Sequence, residues 1–270
     1  MTTWTWNQTD EITYLYLPDW LEQGAFAAFT TRTGGSSNGA YDSLNLALHV
    51  GDDPLKVVDN RVKTLNSFGG SLDMLVCSQQ VHSSRAAAVD SSYRGRGAFE
   101  YEDGLPDTDA LATDTPGLYL ASFYADCIPV YMFDPDHRCV ALIHSGWKGT
   151  MNHIAAKTFT LMKEQYGSSI RRISVFIGPG IDRCCFEVHS DLAAQASNEF
   201  AGFTGIIDQR GGQLYWDLKG TIQRELLLLG APAENVQVCP LCTCCRGDLF
   251  YSYRRDNGNT GRMGAFLTLR

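Results

Sequence analysis

Two apolar runs joined by a short turn constrain the fold of this chain more than any other feature of its sequence. VYMFD (130–134) and CVALIH (139–144) flank the turn-like sequence PDHR. Runs of this length, rich in aromatic and β-branched residues and bounded by turn residues, are typical of β-strands. If the two runs pair antiparallel across the turn, they form a hairpin whose outer ends bring Cys127 and His144 close together.

The rest of the chain mixes strand-like runs with helical patterns. Further strands are predicted from apolar runs at 25–32, 73–77, 118–124, 172–178, 235–239 and 264–270. Helices are predicted at 54–68, 150–167, 189–202 and 217–230. Strands mixed with helices, including an antiparallel pair, indicate an α/β or α+β fold with mixed β-sheets flanked by helices. Because no linker-like segment or internal repeat divides the sequence, we predict a single domain over residues 1–270.

The composition excludes several classes of protein. With 22 basic and 30 acidic residues the formal net charge is −8, so the chain lacks the positive field that nucleic acid binding requires. The sequence MTTWTWNQTDEITY has neither the basic nor the apolar region of a secretory signal, and no apolar run approaches the roughly 20 residues of a membrane helix. We therefore expect a cytoplasmic protein without a membrane partner. Nine cysteines in that compartment favour free thiols and metal chemistry over disulfides.

Three residues with metal-binding side chains lie at or near the ends of apolar runs: His82 in SQQVH, Cys127 in FYADCIP and His144 in ALIHSGWKG. A catalytic zinc site has three protein ligands and leaves the fourth tetrahedral position open for water or substrate. Any one of these residues alone is more often a buried cysteine or a core histidine, but the three together favour one Zn²⁺ per chain. Asp109 and Asp126 are candidate proton shuttles that do not ligate the metal, or they cap turns. Asp109 is also the candidate for a carboxylate that orients one of the two imidazoles.

Four residues are candidates for binding the substrate or an anion such as phosphate. HSGWKGT joins a strand to a helix that Thr150 could cap, and Lys148 stands near the positive end of that helix. Arg32 in the glycine-rich FTTRTGGSS, Gln80 in SQQVH and Arg255 in the Tyr- and Arg-rich tail complete the set. Each candidate has a structural alternative. HSGWKGT would form only a tight turn, Arg32 would lie in a flexible loop, and Arg255 would face a surface that bears carboxylates.

The cysteine-rich stretch CPLCTCC (239–245) gives a weaker signal. It contains the C-x-x-C pair Cys239 and Cys242, but no partner pair lies at zinc-ribbon spacing, and Cys184 and Cys185 are far upstream. We therefore predict reduced thiols here rather than a second metal site.

A series of motifs resembles the YfiH-type family, also called the laccase-domain, polyphenol-oxidase-like or peptidoglycan-editing-factor family. The motifs are FTTRTGG, SLNLALHVGDDP, QQVH, TDALAT, ADCIPV, HSGWKG, IGPGI with FEV, CT, and YSYRR with TGR, in order from about residue 25 to the C-terminus. The resemblance implies a mixed α/β fold like that of the cysteine hydrolases related to bacterial cytotoxic necrotising factor. It also implies a zinc ion held by His82, Cys127 and His144. Cys244 and Cys245, after the CT motif, depart from the family pattern.

The resemblance further implies a zinc-dependent purine nucleoside phosphorylase that acts on adenosine, inosine, guanosine and methylthioadenosine and deaminates adenosine as a side activity. Its partners would be a small-molecule nucleoside and phosphate, and a homodimer is one assembly open to the chain. Two alternatives remain. In one, a Cys/His hydrolase with Cys127 as nucleophile, or a zinc hydrolase, removes wrong amino acids from UDP-muramoyl precursors of peptidoglycan. In the other, a fourth protein ligand closes the metal site of a zinc-bearing interaction module without turnover.

The laccase name can be tested by counting histidines. A blue-copper centre alone takes two histidines and a cysteine. The trinuclear copper cluster of a multicopper oxidase needs many more histidines, usually as His-x-His pairs. This chain has six histidines and no His-x-His pair, so the sequence excludes an ordinary multicopper oxidase.

Overall fold

The computed structural model describes residues 4–9 and 11–270, and its strands include the apolar runs of the sequence. The strands are β1 (Thr5–Gln8), β2 (Thr13–Tyr16), β3 (Ala25–Thr30), β4 (Leu75–Cys77), β5 (Ala86–Ala88), β6 (Ala110–Thr113), β7 (Tyr119–Tyr124), β8 (Ile128–Asp134), β9 (Cys139–Ser145), β10 (Ser174–Ile177), β11 (Glu187–Val188), β12 (Ile207–Arg210), β13 (Gln213–Trp216), β14 (Val236–Val238) and β15 (Met263–Leu269). The helices are α1 (Pro18–Glu22), α2 (Pro54–Ser67), α3 (Trp147–Met151), α4 (Ile154–Tyr166), α5 (Ser190–Glu199) and α6 (Leu218–Leu228). No helix in the described ranges is long and apolar enough to cross a membrane. The domain predicted over 1–270 begins with three residues that lie outside the described part.

Within the described residues, the strands form two six-stranded sheets and one three-stranded sheet. The first sheet has the order β1-β2-β3-β15-β7-β4 and the second the order β14-β10-β8-β9-β6-β5, and each contains antiparallel and parallel pairs. The third sheet, β11-β13-β12, is antiparallel. Mixed sheets with flanking helices confirm the predicted α/β class.

The two large sheets pack face to face, and helices cover their outer faces. Along β8, Tyr131 and Phe133 belong to the apolar cluster shared by both sheets, whereas Val130 and Met132 belong to the cluster that includes α4 and α6. Alternate side chains of a strand point to opposite faces of its sheet, so a strand covered on both sides is buried throughout, as β8 is. On the other side of the molecule, α2 covers the first sheet through Leu65. The layers therefore follow the order helix, sheet, sheet, helix.

The hairpin predicted on either side of PDHR is confirmed. β8 and β9 pair antiparallel in a register that sets Pro129 opposite His144. Cys127 directly precedes β8, so the hairpin brings Cys127 and His144 to the same end of the second sheet. His82 arrives from the loop after β4, which is an edge strand of the first sheet. The three residues therefore meet where segments from both sheets come together.

The helix predicted over 150–167 is wrong at its N-terminal end. The chain forms α3 and α4 there, because His153 between them has a left-handed backbone with φ of 57°. Gly146 is the N-cap of α3, and Thr150 lies inside α3, where its hydroxyl donates to the Gly146 carbonyl. Thr150 therefore does not cap a helix as predicted. Gly167, with φ of 75°, ends α4 as the glycine signal indicated.

Two carboxylates hold His153 in this position. Its Nδ1 lies 2.5 Å from Glu225 Oε1 of α6, and its Nε2 lies 2.8 Å from Glu199 Oε1 at the end of α5. Burial lowers the pKa of His153, but the hydrogen bonds to Glu199 and Glu225 outweigh burial and raise it overall. The break between α3 and α4 thus depends on partners 72 and 46 residues away, which local sequence patterns do not reveal.

We expect His153→Asn to lower the free energy of unfolding by about 1 kcal/mol at pH 6 and by less at pH 9. The effect is modest because the imidazole is 38% exposed and water screens its ion pairs. Asparagine tolerates a left-handed backbone, so the substitution removes mainly the two contacts. Because folding raises the pKa of His153, its contribution is complete below the unfolded pKa of about 6.5 and is lost as the pH rises through the folded pKa. Urea unfolding at both pH values measures the difference, and an equal loss at pH 6 and pH 9 would contradict the prediction.

Seven strands were not predicted from the sequence: β1, β2, β5, β6 and β11 to β13. They contain only two to four residues each. Runs this short contain too few alternations to show a period of two. One of them still positions the site, because β6 pairs with β9 and begins directly after Asp109.

Candidate active site

The structure brings His82, Cys127 and His144 together. Their ligand atoms all lie within 4.8 Å of one another, and Cys127 Sγ is 3.7 Å from His82 Nε2. His144 in β9 is buried, Cys127 before β8 is half-buried, and His82 in the loop after β4 is exposed. One side of the group therefore faces solvent.

Asp109 fixes two of these residues at once. Its carboxylate accepts hydrogen bonds from His144 Nδ1 at 2.8 Å, from the backbone N–H of His82 at 3.1 Å and from that of Ser83 at 2.6 Å. Asp109 is only 1% exposed, so water does not compete for these contacts. Because Nδ1 of His144 is occupied, Nε2 is the nitrogen left for a metal, as is usual for metal-binding histidines that a carboxylate orients. This contact agrees with the sequence-based expectation that Asp109 orients one imidazole.

Charge within the group favours a thiolate. Burial alone raises the pKa of the Cys127 thiol, but the imidazoles of His144 and His82 outweigh burial and lower it to about 6. Burial likewise lowers the pKa of His144, whereas Cys127 and Asp109 raise it to about 9. For Asp109, burial raises the pKa, and hydrogen bonds from His144 and Ser83 bring it below its usual value. The group therefore concentrates negative charge that a proton or a metal cation can balance.

The donor set fits a tetrahedral metal ion. Bonds of about 2.3 Å to sulfur and about 2.0 Å to nitrogen place two ligand atoms roughly 3.5 Å apart. The distance between Cys127 Sγ and His82 Nε2, 3.7 Å, is close to that value. Among residues 4–9 and 11–270, no fourth His, Cys or carboxylate side chain joins this group of ligand atoms. One thiolate and two imidazoles form a ligand set that can hold a metal ion and that leaves the fourth position open, unlike a closed structural site.

One candidate ligand, His82, and one neighbour of a candidate ligand, Asp126, have left-handed backbones. His82 has φ of 61° and Asp126 has φ of 89°. The Asp126 carboxylate accepts hydrogen bonds from Thr243 Oγ1 at 2.7 Å, Ser252 Oγ at 3.0 Å and the Arg254 N–H at 2.7 Å. These contacts tie the turn before β8 to the C-terminal loops. Backbone strain that neighbouring residues hold in place is typical of functional sites.

Gly146 leaves no room for a side chain beside the ligands. A Cβ there would lie 2.9 Å from Cys127 Sγ and 2.9 Å from His82 Cδ2, closer than observed Cβ contacts. We expect Gly146→Ala to lower the affinity for Zn²⁺ by about tenfold or more, because disturbing the groups around metal ligands costs ~10–100-fold in affinity. Competition with a chromogenic chelator measures that affinity. Gly202→Ala is the control, since a Cβ there would meet nothing within 4 Å. Equal affinities of the two variants for Zn²⁺ would contradict the prediction.

The ligand group lines a cavity of about 860 Å³. Its apolar wall includes Phe123, Trp147, Phe186, Leu192, Leu218 and Tyr253. Its polar lining includes His49, Gln80, Lys148, Glu187, Arg254 and Arg262. A cavity of this size, lined by apolar side chains and a few polar groups, suits a small-molecule ligand.

Two of the four predicted substrate-binding residues line this cavity. Gln80 accepts a hydrogen bond from the Phe123 N–H at 2.8 Å and donates one to the Phe123 carbonyl at 3.0 Å, so its amide is fixed at the end of β7. The ammonium of Lys148 lies 5.5 Å from the centre of the Trp147 ring, and it forms no ion pair with the described residues. Lys148 is therefore available to meet an anion in the cavity.

The other two, Arg32 and Arg255, are held elsewhere and do not line the cavity. The Arg32 guanidinium donates to the Asp42 carbonyl at 2.9 Å and lies 4.6 Å from the centre of the Tyr251 ring. Arg255 pairs with Asp256 Oδ1 at 2.9 Å. These contacts favour a structural role for both arginines.

Sequence reasoning missed His49 and Arg262 as cavity residues. Burial lowers the pKa of His49 to about 4, and the charges of Arg262 and Arg61 add to that effect, so the His49 imidazole is neutral at pH 7. His49 lies in SLNLALHVGDDP and Arg262 in TGR, motifs that entered the sequence analysis only through the family resemblance. His49 also follows the mostly apolar run LNLAL, as His144 follows CVALI, so a local signal existed for it. Arg262 lies just before the strand-like run at 264–270, and neither residue lies beside another candidate ligand.

Known proteins resemble this chain over most of its length. Residues 26–270 match the family described as multi-copper polyphenol oxidoreductase laccase. The chain is 38% identical to the protein named purine nucleoside phosphorylase YlmD of Geobacillus stearothermophilus, over 92% of this chain and 91% of that protein. It is 34% identical to the protein named adenosine deaminase RL5 of an unknown prokaryotic organism, over 89% of this chain and 93% of that protein. The crystal structure of the hypothetical protein YfiH of Bacillus licheniformis matches with a TM-score of 0.92 at 35% identity, covering 98% of this chain and 99% of that one.

Proposed function

Because this chain belongs to the YfiH/YlmD family, with a laccase-like domain over residues 26–270, we propose that it is a zinc-dependent purine nucleoside phosphorylase that also deaminates adenosine. The observation that carries the proposal is the group of His82, Cys127 and His144, which lines a cavity of about 860 Å³ and keeps one side open. The two relatives named for nucleoside chemistry support the substrate class. We propose adenosine, inosine, guanosine and methylthioadenosine as the nucleosides it cleaves.

The aromatic side chains of the cavity suit a purine base. Phe123, Trp147, Phe186 and Tyr253 all line it. Contact between aromatic rings contributes about 0.5–1.5 kcal/mol beyond the area that it buries. The purine would therefore bind on this wall, with its sugar toward the polar side of the cavity.

Positive charge on the polar side suits phosphate. Lys148, Arg254 and Arg262 line the cavity although the chain as a whole has a formal net charge of −8. The two arginines also donate to backbone carbonyls, so Lys148 is the cation most available to phosphate. Hydrogen bonds from such cations to a phosphate are about twice as strong as neutral ones. In phosphorolysis, a phosphate oxygen attacks C1′ of the ribose and the bond between C1′ and N9 breaks. The bonding electrons stay with the purine, which takes up a proton.

The three candidate ligands would hold the metal, and two carboxylates would position the residues around it. Zn²⁺ held by His82, Cys127 and His144 would supply Lewis acidity and lower the pKa of a water molecule, which is the chemistry that deamination at C6 of adenosine requires. Asp109 orients His144 and the backbone of His82, and Asp126 anchors the turn before β8. Because both carboxylates accept several hydrogen bonds from the protein, we assign them to positioning rather than to proton transfer.

Product analysis with inosine tests the proposal. Zinc-loaded protein is incubated with inosine with and without phosphate, and hypoxanthine and ribose 1-phosphate are quantified. We expect equal amounts of both products in the presence of phosphate and neither in its absence. Hypoxanthine together with free ribose in both incubations would indicate a hydrolase, and no product at all would contradict the phosphorylase proposal.

A second candidate function is a Cys/His hydrolase that needs no metal. The lowered pKa of Cys127 and the chain of contacts from Cys127 through His144 to Asp109 favour it, since an activated thiolate beside an oriented imidazole is a nucleophile. Its substrate would be a UDP-muramoyl peptidoglycan precursor, for which neither relative described above is named. Hydrolysis that survives chelation but is abolished by thiol alkylation would favour this candidate over the phosphorylase.

A further inference from the structure

Four cysteines form a second cluster apart from the group of His82, Cys127 and His144. The sulfur atoms of Cys184, Cys185, Cys242 and Cys245 all lie within 4.8 Å of one another. Two of them come from the loop between β10 and β11, and the other two from the loop between β14 and β15. The cluster forms because these loops run side by side, with Gly180 and Cys242 in an isolated parallel bridge.

The distances within this cysteine cluster suit a metal better than a disulfide. Cys245 Sγ lies 3.5 Å from Cys184 Sγ and 3.4 Å from Cys185 Sγ, so two thiols are equally close to it. A disulfide joins one pair only, at about 2.05 Å. Four sulfurs bound tetrahedrally at about 2.3 Å lie roughly 3.8 Å apart, so one ion can engage all four.

One backbone N–H contacts the cluster. The Asp182 N–H donates to Cys242 Sγ at 3.4 Å, a contact that stabilises negative charge on sulfur. Cys242 is buried while Cys184 and Cys245 are exposed, which leaves an entry path for an ion. The C-x-x-C pair singled out in the sequence, Cys239 and Cys242, does not form the cluster. The pair that contributes is Cys242 and Cys245, and the fold supplies the adjacent Cys184 and Cys185 as its partners.

From these observations we propose that Cys184, Cys185, Cys242 and Cys245 bind one divalent metal ion of the kind that tetrahedral sulfur sites take, zinc or iron. Four protein ligands make it a structural site, separate from the open group of three ligands.

The position of the cysteine cluster implies that a bound ion helps to shape the active-site cavity. Cys185 is followed by Phe186 and Glu187, both of which line the cavity. Arg254 donates to the carbonyls of Cys185 and Glu187 at 3.3 and 3.0 Å, and in the same loop the Ile181 N–H donates to the Asp126 carbonyl at 2.8 Å. An ion that clamps the two cysteine loops therefore holds one wall of the cavity and braces the turn before β8.

Metal analysis of purified full-length protein tests the proposal. The experiment uses the His82→Ala variant, so that the other group of ligands does not contribute. We expect about one equivalent of zinc or iron per chain by elemental analysis. Adding Cys245→Ser should remove that equivalent, whereas Cys244→Ser should keep it, since Cys244 lies in the same loop but outside the cluster. A His82→Ala protein without bound metal, or an equivalent that Cys245→Ser retains, would overturn the proposal.

A second measurement on the unaltered protein covers the case in which the cysteine variants fail to fold. Iodoacetamide is added before and after treatment with a strong chelator, and the modified cysteines are identified by peptide mass spectrometry. We expect Cys184 and Cys245, although exposed, to resist alkylation until the metal is removed. Rapid alkylation without chelator would overturn the proposal, and so would an intact mass lower by the two hydrogens of a disulfide within the cluster.

Discussion

Replacing Cys127, His82 or His144 with alanine is expected to lower kcat/KM for inosine phosphorolysis by about 10³-fold or more and to remove the metal from this site. Each residue contributes one of only three candidate ligands in the group, so the loss of any one leaves an incomplete shell. The fold should survive, because the sheets and helices pack through their own apolar clusters, whereas a zinc finger folds only when metal binds. Steady-state kinetics, metal analysis and urea unfolding of each variant measure the three effects.

Cys77→Ala is a suitable control for these substitutions. Cys77 is a buried cysteine in β4 that belongs to neither cluster of candidate ligands, so its loss should affect stability and leave metal content unchanged. A variant of His82, Cys127 or His144 that unfolds outright when its metal is lost would show that the site is structural and would contradict a catalytic role.

Asp109→Asn is expected to weaken Zn²⁺ binding by about 10–100-fold while most of the fold remains. The substitution keeps the shape of the side chain but replaces one carboxylate oxygen with an amide that donates hydrogen bonds. That amide would face donors, because the Asp109 carboxylate accepts from His144 Nδ1 and from the N–H groups of His82 and Ser83. The His144 imidazole and the backbone of His82 would then lose their shared anchor. Zinc affinity measured by chelator competition, on protein whose circular dichroism is unchanged, tests the expectation.

Asp107→Asn is the matched control for Asp109→Asn. Asp107 is exposed and has φ of 50°, a conformation that asparagine tolerates, so the affinity for zinc should be unaffected. Equal affinities of the Asp109→Asn variant and the unaltered protein would show that Asp109 does not position the ligands.

The parts of the site that the sequence predicted are those that local patterns determine. The strand, turn and strand around PDHR predict the hairpin, and the hairpin by itself brings Cys127 to the end of β9 that holds His144. His82 could be proposed because it follows an apolar run that forms β4. Residue type and strand ends were sufficient to select these candidate ligands.

The parts that the sequence did not predict depend on contacts between distant segments. The break at His153 depends on Glu199 and Glu225, which lie in other helices. Arg32 and Arg255 looked like anion ligands because of their residue type, but backbone carbonyls and Asp256 engage them. The four-cysteine cluster was missed because the loops that meet there are about 60 residues apart in the chain. Tertiary packing rather than local propensity decides each of these features.

We propose that this chain cleaves purine nucleosides with phosphate at the site of His82, Cys127 and His144 and needs zinc to do so. The most direct test is a zinc titration of metal-stripped protein, in which hypoxanthine release from inosine is followed in the presence of phosphate. We predict background release before zinc is added and recovery of phosphate-dependent release as zinc binds. Full phosphate-dependent release by the stripped protein, or none after zinc is restored, would contradict a zinc-dependent phosphorylase.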